Sequence, residues 1–225
     1  MKFKTELHCH SHTVSDCADI TARELVDKYV EGGYTTVVLM EHLNSATFAP
    51  GGRYNGTEDW QQKIDYYMEG YRALHAAAQG KLNILMGCEL CVHDTHTDYL
   101  IHGVTESFLR ENPDLMTLSK IKYVSKRVHE YGLLLYQAHP FRNGMNVTDP
   151  TLLDGIETYN GHPRHDSRND FAAQWAQHYG LRRICGSDVH GKDDPASTAI
   201  LTDSPITTRE ELLVTLREQN YTMLY

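Results

Sequence analysis

The sequence predicts an α/β protein built from parallel βαβ units, and two observations carry that expectation. Segments rich in β-branched and aliphatic residues alternate with amphipathic segments along the chain. Nearly every strand segment also ends in His, Asp or Glu, at the end where α/β barrels build their active sites. Alternation alone leaves a closed barrel and an open doubly wound sheet as alternatives, and the strand ends favour the barrel. With 225 residues and no internal repeat, low-complexity tract or linker, a single domain over 1–225 is the simplest division.

The elements follow in order. "FKTELHCH" reads as a short strand. "ITARELVDKYVEGG" reads as a helix with Thr21 as N-cap and Gly32 and Gly33 as the stop. "YTTVVLMEH" is a buried β-branched run, hence a strand. "NSATFAPGGRYNGT" is loop by composition, either a mobile lid after His42 or a plain surface loop. A long amphipathic helix follows, with Trp60, Ile64, Tyr67, Tyr71, Leu74 and Ala78 at helical spacing. "KLNILMGCEL" and "TDYLIHGV" are strands, and "TLSKIKYVSKRVHEYG" is a helix ending at Gly132. "LLLYQAHP" and "DGIETYNG" are strands, "RNDFAAQWAQHYG" a helix and "RRICGSDVH" a strand. "TTREELLVTLREQN" is a final helix capped by Thr207 or Thr208.

Bulk properties narrow the function. A formal net charge of −9 argues against binding long nucleic acid through its phosphate backbone. No apolar run approaches the ~18 residues of a membrane span, so no membrane partner is expected. "MKFKTELHCH" has no apolar signal region after its lysines, and five cysteines form no disulfide framework; both point to the cytoplasm. Cys88 and Cys91 form a C-x-x-C without a second ligand pair, so they are read as small buried strand residues. No phosphate-binding G-x-x-x-x-G-K-[ST] occurs.

The most informative stretch is "HCHSHTVSD". His8, His10 and His12 alternate, and alternate side chains on a strand share a face, so imidazoles there can converge. The strand ends add His42, Glu89, Asp98, His102, His139, Glu157, Asn160, Asp188 and His190. Mixed His, Asp and Glu sets suit Zn, Fe or Mn. His8, His10, Asp16, His42, Glu89, His139, Asp188 and His190 exceed what one ion can take, which suggests two or three divalent ions sharing a carboxylate. Such clusters suit hydrolysis of phosphate esters.

The pieces "HCHSHTVSD", "MEH", "GCEL", "QAHPF" and "GSDVH" occur in one order across residues 6 to 190. Together they resemble the PHP (polymerase and histidinol phosphatase) family. The resemblance implies a distorted seven-stranded (β/α)7 barrel, a trinuclear metal site and hydrolysis of phosphate esters. It implies that His8, His10 and Asp188 hold one ion, that Glu89 bridges to a second with His139, and that Asp16, His42 and His190 hold a third. A hydroxide between the first two ions would be the nucleophile, and His10, Glu89 and Asp188 would carry the catalytic work. Two departures stand out. Glu41 replaces the family's usual Asp before His42, in a position commonly beside the ligands rather than among them. The family's His after the third-motif Glu has no plain counterpart: His93, His96, Asp98 and His102 are all candidates, spacing favours Asp98, and His102 stays open.

Outside the metal set, Arg142, Asn160, Arg164 and Arg168 lie just after strand ends and are candidates for binding substrate phosphate. The bland alternative is a solvated loop and a helix N-terminal turn. His12 is expected beside the ligands or exposed, and His75, His129 and His178 as surface or packing residues within helices. The expected activity is a phosphatase acting on a small phosphorylated metabolite. The alternatives are a phosphodiesterase or 5′-3′ exonuclease, hydrolysis of a non-phosphate bond, and a non-catalytic scaffold or sensor that keeps metal only for stability.

Overall fold

A computed structural model describes residues 2–92, 97–118 and 120–225. The first strand, β1 (Phe3–Cys9), runs inward from a half-exposed start to a fully buried end. Helix α1 (Ala22–Glu31) begins in a capping box, Thr21 accepting from the Glu24 amide while Glu24 accepts from that of Thr21. Its C-cap is Gly32, as the sequence predicts. Next come β2 (Tyr34–Leu39), the two-residue β3 (His42–Leu43) and α2 (Trp60–Ala78), whose first turn is capped by Asp59. The chain continues through β4 (Asn83–Cys91), β5 (Asp98–His102), α3 (Glu106–Glu111), α4 (Ile121–Glu130) and β6 (Leu134–Gln137). It ends with β7 (Gly155–Asn160), α5 (Asn169–Tyr179), β8 (Arg182–Gly186), β9 (Ala199–Thr202), α6 (Arg209–Glu218) and β10 (Thr222–Leu224). Thr208 caps α6, again through a capping box.

The strands form one sheet in the order β10-β9-β1-β2-β4-β5-β6-β7-β8, with β3 beside β4. It nearly closes into a barrel, because the segment beyond β8 returns to β1. Cys9 bridges Val189, the Asp188 amide donates to the His8 carbonyl (2.8 Å), and the His10 amide donates to the Val189 carbonyl (3.0 Å). Leu7, Val38, Leu100, Tyr136 and Ile184, from five strands, join Leu212 and Leu216 of α6 in one buried cluster. Among the described residues, no helix is long and apolar enough to cross a membrane.

The α/β barrel follows expectation, but the count of seven strands does not. β3 is a two-residue extension, and β9 and β10 are short antiparallel additions outside β1. The uniform parallel order fails at β5, which is antiparallel to both β4 and β6. The cause is chain length: the link from Cys91 to Asp98 is shorter than the roughly twelve or more residues a parallel crossover needs.

Candidate metal centre

The closure of the barrel brings the ends of β1, β4 and β8 together. His8 Nε2 lies 3.1 Å from His10 Nε2, and each is 3.3 Å from Asp188 Oδ1. Glu89 Oε2 stands 3.5 Å from His8 Nε2 and 3.3 Å from His10 Nε2. These spacings match the edges of a coordination polyhedron. Donors about 2.0–2.2 Å from one ion stand roughly 3.0–3.5 Å apart in octahedral or tetrahedral geometry. Asp188 Oδ1 and Glu89 Oε1 are buried and have no hydrogen-bond partner, which a cation would supply. The donor set therefore fits divalent metal.

The electrostatics agree. Burial works against the charged form of Glu89, yet His8 and His42 hold its carboxyl well below the usual range. Asp188 is likewise pushed down against burial, chiefly by the charge of His8, with His10 and His190 beside it acting in the same direction. Asp98 is pushed up to about 6, first by burial and then by the charge of Glu89. Anionic carboxylates thus crowd one buried point, a repulsion that bound cations relieve.

Glu89 faces two ways. Its Oε2 meets His8 and His10, and also His42 Nε2 at 3.0 Å, while its Oε1 lies 3.3 Å from His139 Nε2. Glu89, Asp98 and His139 form a second group whose donor atoms lie within 4.8 Å of one another. The reversal of β5 puts Asp98 there. In that antiparallel strand the first residue sits at the active end, opposite Cys91, whereas His102 pairs with Gly87 lower in the barrel. His102 is fully buried against Tyr136, away from these groups. His93 and His96 lie outside the described residues.

His42 and His190 join the rim of the cluster, but Asp16 is not brought to them. It is exposed, with Oδ1 3.7 Å from Arg53 Nε. Cys17 occupies the rim instead, its Sγ 3.8 Å from His42 Nδ1. Burial raises the Cys17 thiol, but hydrogen bonds with His190 and His42 outweigh it and bring it to about 6. Sequence reasoning missed Cys17 because a single Cys beside Asp16 has no motif of its own. His12 is exposed, as expected.

An outer layer orients these donors. Glu157 Oε1 lies 2.8 Å from His8 Nδ1, and Glu157 Oε2 accepts from the His139 amide (2.9 Å). Gly186 permits this, since a methyl group there would collide with His8 and Glu157. Glu41 accepts from the Ser11 and Ser15 hydroxyls, and Ser15 Oγ accepts from the His42 amide at 3.1 Å, so Glu41 braces the loop after β1. His139 (φ 27°) and Asp188 (φ 52°) both occupy left-handed backbone, a strain of about 1–3 kcal/mol each of the kind found at functional sites.

The cluster opens into a pocket of about 320 Å³ lined by Cys17, His42, Glu89, Asp98, His139 and Asp188, with Arg142, Arg164, His162 and His165 also on its wall. Arg142 Nη2 donates to Asp188 Oδ2 (2.9 Å) and Asn160 Oδ1 (3.0 Å). Arg164 Nε donates to His162 Nε2 at 3.3 Å. Asn160 and Arg168 are not among the lining residues. Asn160 is buried behind the cluster, donating to Glu157 Oε2 (2.9 Å) and Asp188 Oδ2 (3.0 Å). Arg168 is exposed at the start of α5 and donates to Asn143.

Fold and site together define a metal-binding α/β barrel. The PHP domain family model matches residues 6–218, and the chain belongs to that family. Among solved structures, PsfC from Pseudomonas syringae superposes with a TM-score of 0.68 at 14% identity, over 100% of this chain and 91% of that one. A two-domain protein from Bacteroides vulgatus, containing a predicted PHP-like metal-dependent phosphoesterase, gives 0.67 at 15% identity over 100% of this chain; this chain spans only 65% of it. The lesion-specific endonuclease PfuEndoQ from Pyrococcus furiosus gives 0.61 at 15% identity, over 97% of this chain and 56% of that one. At such identities the likeness is one of fold. A search of curated proteins found no match.

Proposed function

We propose that this protein is a metal-dependent phosphoesterase, acting as a phosphatase on a small phosphorylated metabolite. The observation that carries the reading is the quartet His8, His10, Glu89 and Asp188 at polyhedron-edge spacings, opening onto a pocket with Arg142 and Arg164 on its wall. Two or three divalent ions of Zn, Mn or Fe are the cofactors in this reading. His8, His10, Asp188 and Glu89 would hold one, and Glu89 would share a second with His139 and Asp98. His42 and His190 would hold a third. When bound, such ions activate water at neutral pH and offset charge on the phosphate oxygens.

The chain's own residues do the rest. Glu157 holds His8 with Nε2 turned to the cluster, so no rotamer search precedes ion binding. Arg142 and Arg164 offer planar forks to a phosphate seated over the cluster. A pocket of about 320 Å³ suits a small ester, being at the low end of the ~300–1,000 Å³ range of small-molecule sites.

Elemental analysis should be paired with turnover of p-nitrophenyl phosphate and bis(p-nitrophenyl) phosphate on the same sample. Two or three equivalents of metal and chelator-sensitive release from the monoester are expected. Release from the diester alone would replace the phosphatase reading with a phosphodiesterase. Metal loss that lowers Tm in a protein turning over neither ester would favour the scaffold. Failure to bind metal after reconstitution would overturn the mechanism.

A further inference from the structure

This inference rests on the metal-dependent reading above and concerns how one of its ligands is aimed. The two carboxylate oxygens of Asp188 meet different surroundings. Oδ2 accepts from Asn160 Nδ2 (3.0 Å) and from Arg142 Nη2 (2.9 Å), which fills its two lone-pair sites. Oδ1 is buried without a hydrogen-bond partner and stands 3.3 Å from both His8 Nε2 and His10 Nε2. One oxygen is tied back, and the other is left to a cation.

Asn160 is itself held firmly. It ends β7 opposite Gly186 of β8 and is buried. Asn169, the first residue of α5, clamps its backbone from both sides: the Asn160 amide donates to Asn169 Oδ1 (2.9 Å), and Asn169 Nδ2 donates to the Asn160 carbonyl (3.1 Å). One edge of the Asn160 side chain meets three donors, Arg142 Nη2 (3.0 Å), the His162 amide (3.1 Å) and Ser167 Oγ (3.3 Å), so its oxygen Oδ1 lies there. The other edge meets two carboxylate oxygens, which only accept, so the amide nitrogen belongs there. Nδ2 donates to Glu157 Oε2 (2.9 Å) and to Asp188 Oδ2.

These two hydrogens complete a closed path of contacts. His8 Nδ1 meets Glu157 Oε1 (2.8 Å), Glu157 Oε2 meets Asn160, and Asn160 meets Asp188 Oδ2, which leaves His8 Nε2 and Asp188 Oδ1 facing each other across 3.3 Å. Three residues separate Glu157 from Asn160, a spacing that sends side chains to opposite faces of a regular strand. The register of β7 against β8 shifts between Glu157 and Tyr159, and this irregularity lets both side chains reach the same carboxylates.

We infer that Asn160 is a positioning residue of the metal centre: by donating to Glu157 and Asp188 together, it holds Asp188 to ligate through Oδ1 alone, on the ion that His8 also holds. A carboxylate free to turn would offer either oxygen or both, and ordering it would then weaken binding. Asn160 serves the ligands, and Arg142 and Arg164 are left to face the substrate.

Zn(II) is the probe, competed against a chromophoric chelator in folded, metal-free protein. Asn160→Leu keeps the bulk of the side chain and removes both polar edges. It should bind its tightest Zn(II) at least about tenfold more weakly than the parent, within the roughly 10–100-fold usual for such partners. KM for p-nitrophenyl phosphate at saturating Zn(II) should stay within about threefold, because Asn160 touches no substrate. A smaller loss of affinity overturns the inference. So does a larger rise in KM, which would return Asn160 to the substrate subsite. The affinity comparison decides even if the parent hydrolyses no ester, so the inference and the phosphoesterase reading can fail separately; a parent that binds no Zn(II) ends both. Should Asn160→Leu misfold, a crystal structure of the Zn(II)-loaded parent decides. Asp188 bound through Oδ1, with Oδ2 still on Asn160, is expected, and ligation through Oδ2 or through both oxygens overturns the inference.

Discussion

His8 Nδ1 and Glu157 Oε1 lie 2.8 Å apart, with both side chains fully buried. Burial disfavours charge on His8, but Asp188, Glu157 and Glu89 together raise it well above its ordinary value. A metal ion bound to Nε2 would displace the proton there, and Glu157 would hold the remaining proton on Nδ1. Glu157→Gln should therefore weaken metal affinity by about 10–100-fold, the usual scale for such partners. Competition with a chelator measures this, and an unchanged affinity would remove Glu157 from the site's support.

Glu89 spans two groups of donors, whereas Asp98 belongs to one. Glu89→Gln should lower metal content by more than one equivalent and Asp98→Asn by no more than one. His102→Ala should leave it unchanged. Elemental analysis of the purified variants is the check, and equal losses from Glu89→Gln and Asp98→Asn would contradict the bridging role.

His10 offers its Nε2 to the most compact donor group and is completely buried. His10→Ala should abolish ester turnover while circular dichroism still reports the native fold. Full turnover on several phosphate esters in this variant would make the assignment wrong.

The arginines differ in reach. Arg142 lines the pocket, whereas Arg168 points to Asn143 on the surface. Arg142→Ala should raise KM for a phosphate monoester about tenfold or more, in line with a lost charge-assisted contact of about 1.5–3 kcal/mol. Arg168→Ala should change KM less than twofold. Steady-state kinetics on one substrate decides, and the reverse ranking would move the phosphate subsite toward α5.

His102 carries a pH dependence of its own. Its pKa is pushed down to about 3, first by burial and then by His8, from an ordinary 6.5. As pH falls through that window the unfolded chain takes up a proton that the folded chain refuses, so stability declines. The full shift is worth about 5 kcal/mol. His102→Leu should lose less Tm between pH 7 and pH 4.5 than the parent, by thermal unfolding of metal-free samples. Parallel losses would mean that other groups govern the acid limb.

Much of this protein could be read from its sequence because the signals are local. Thr21 and Thr208 announce their helices through a Glu three residues on, and a β-branched run marks β2. His8 and His10 alternate on a strand, so their convergence follows from a period of two residues. The family motifs, taken in order, identified the barrel and most of the donor cluster. Tertiary structure decided the rest, because it depends on where distant segments meet. The short link from Cys91 to Asp98 forces β5 to run backwards, and this carries Asp98 to the cluster and His102 away from it. Arg53, far along the chain from Asp16, draws that carboxylate aside and leaves the rim to Cys17. Asn160 follows a strand end as a substrate contact would, but barrel closure places it behind Asp188. Spacing along one segment is written in sequence, whereas the direction a side chain takes is set by partners that only the closed barrel brings near.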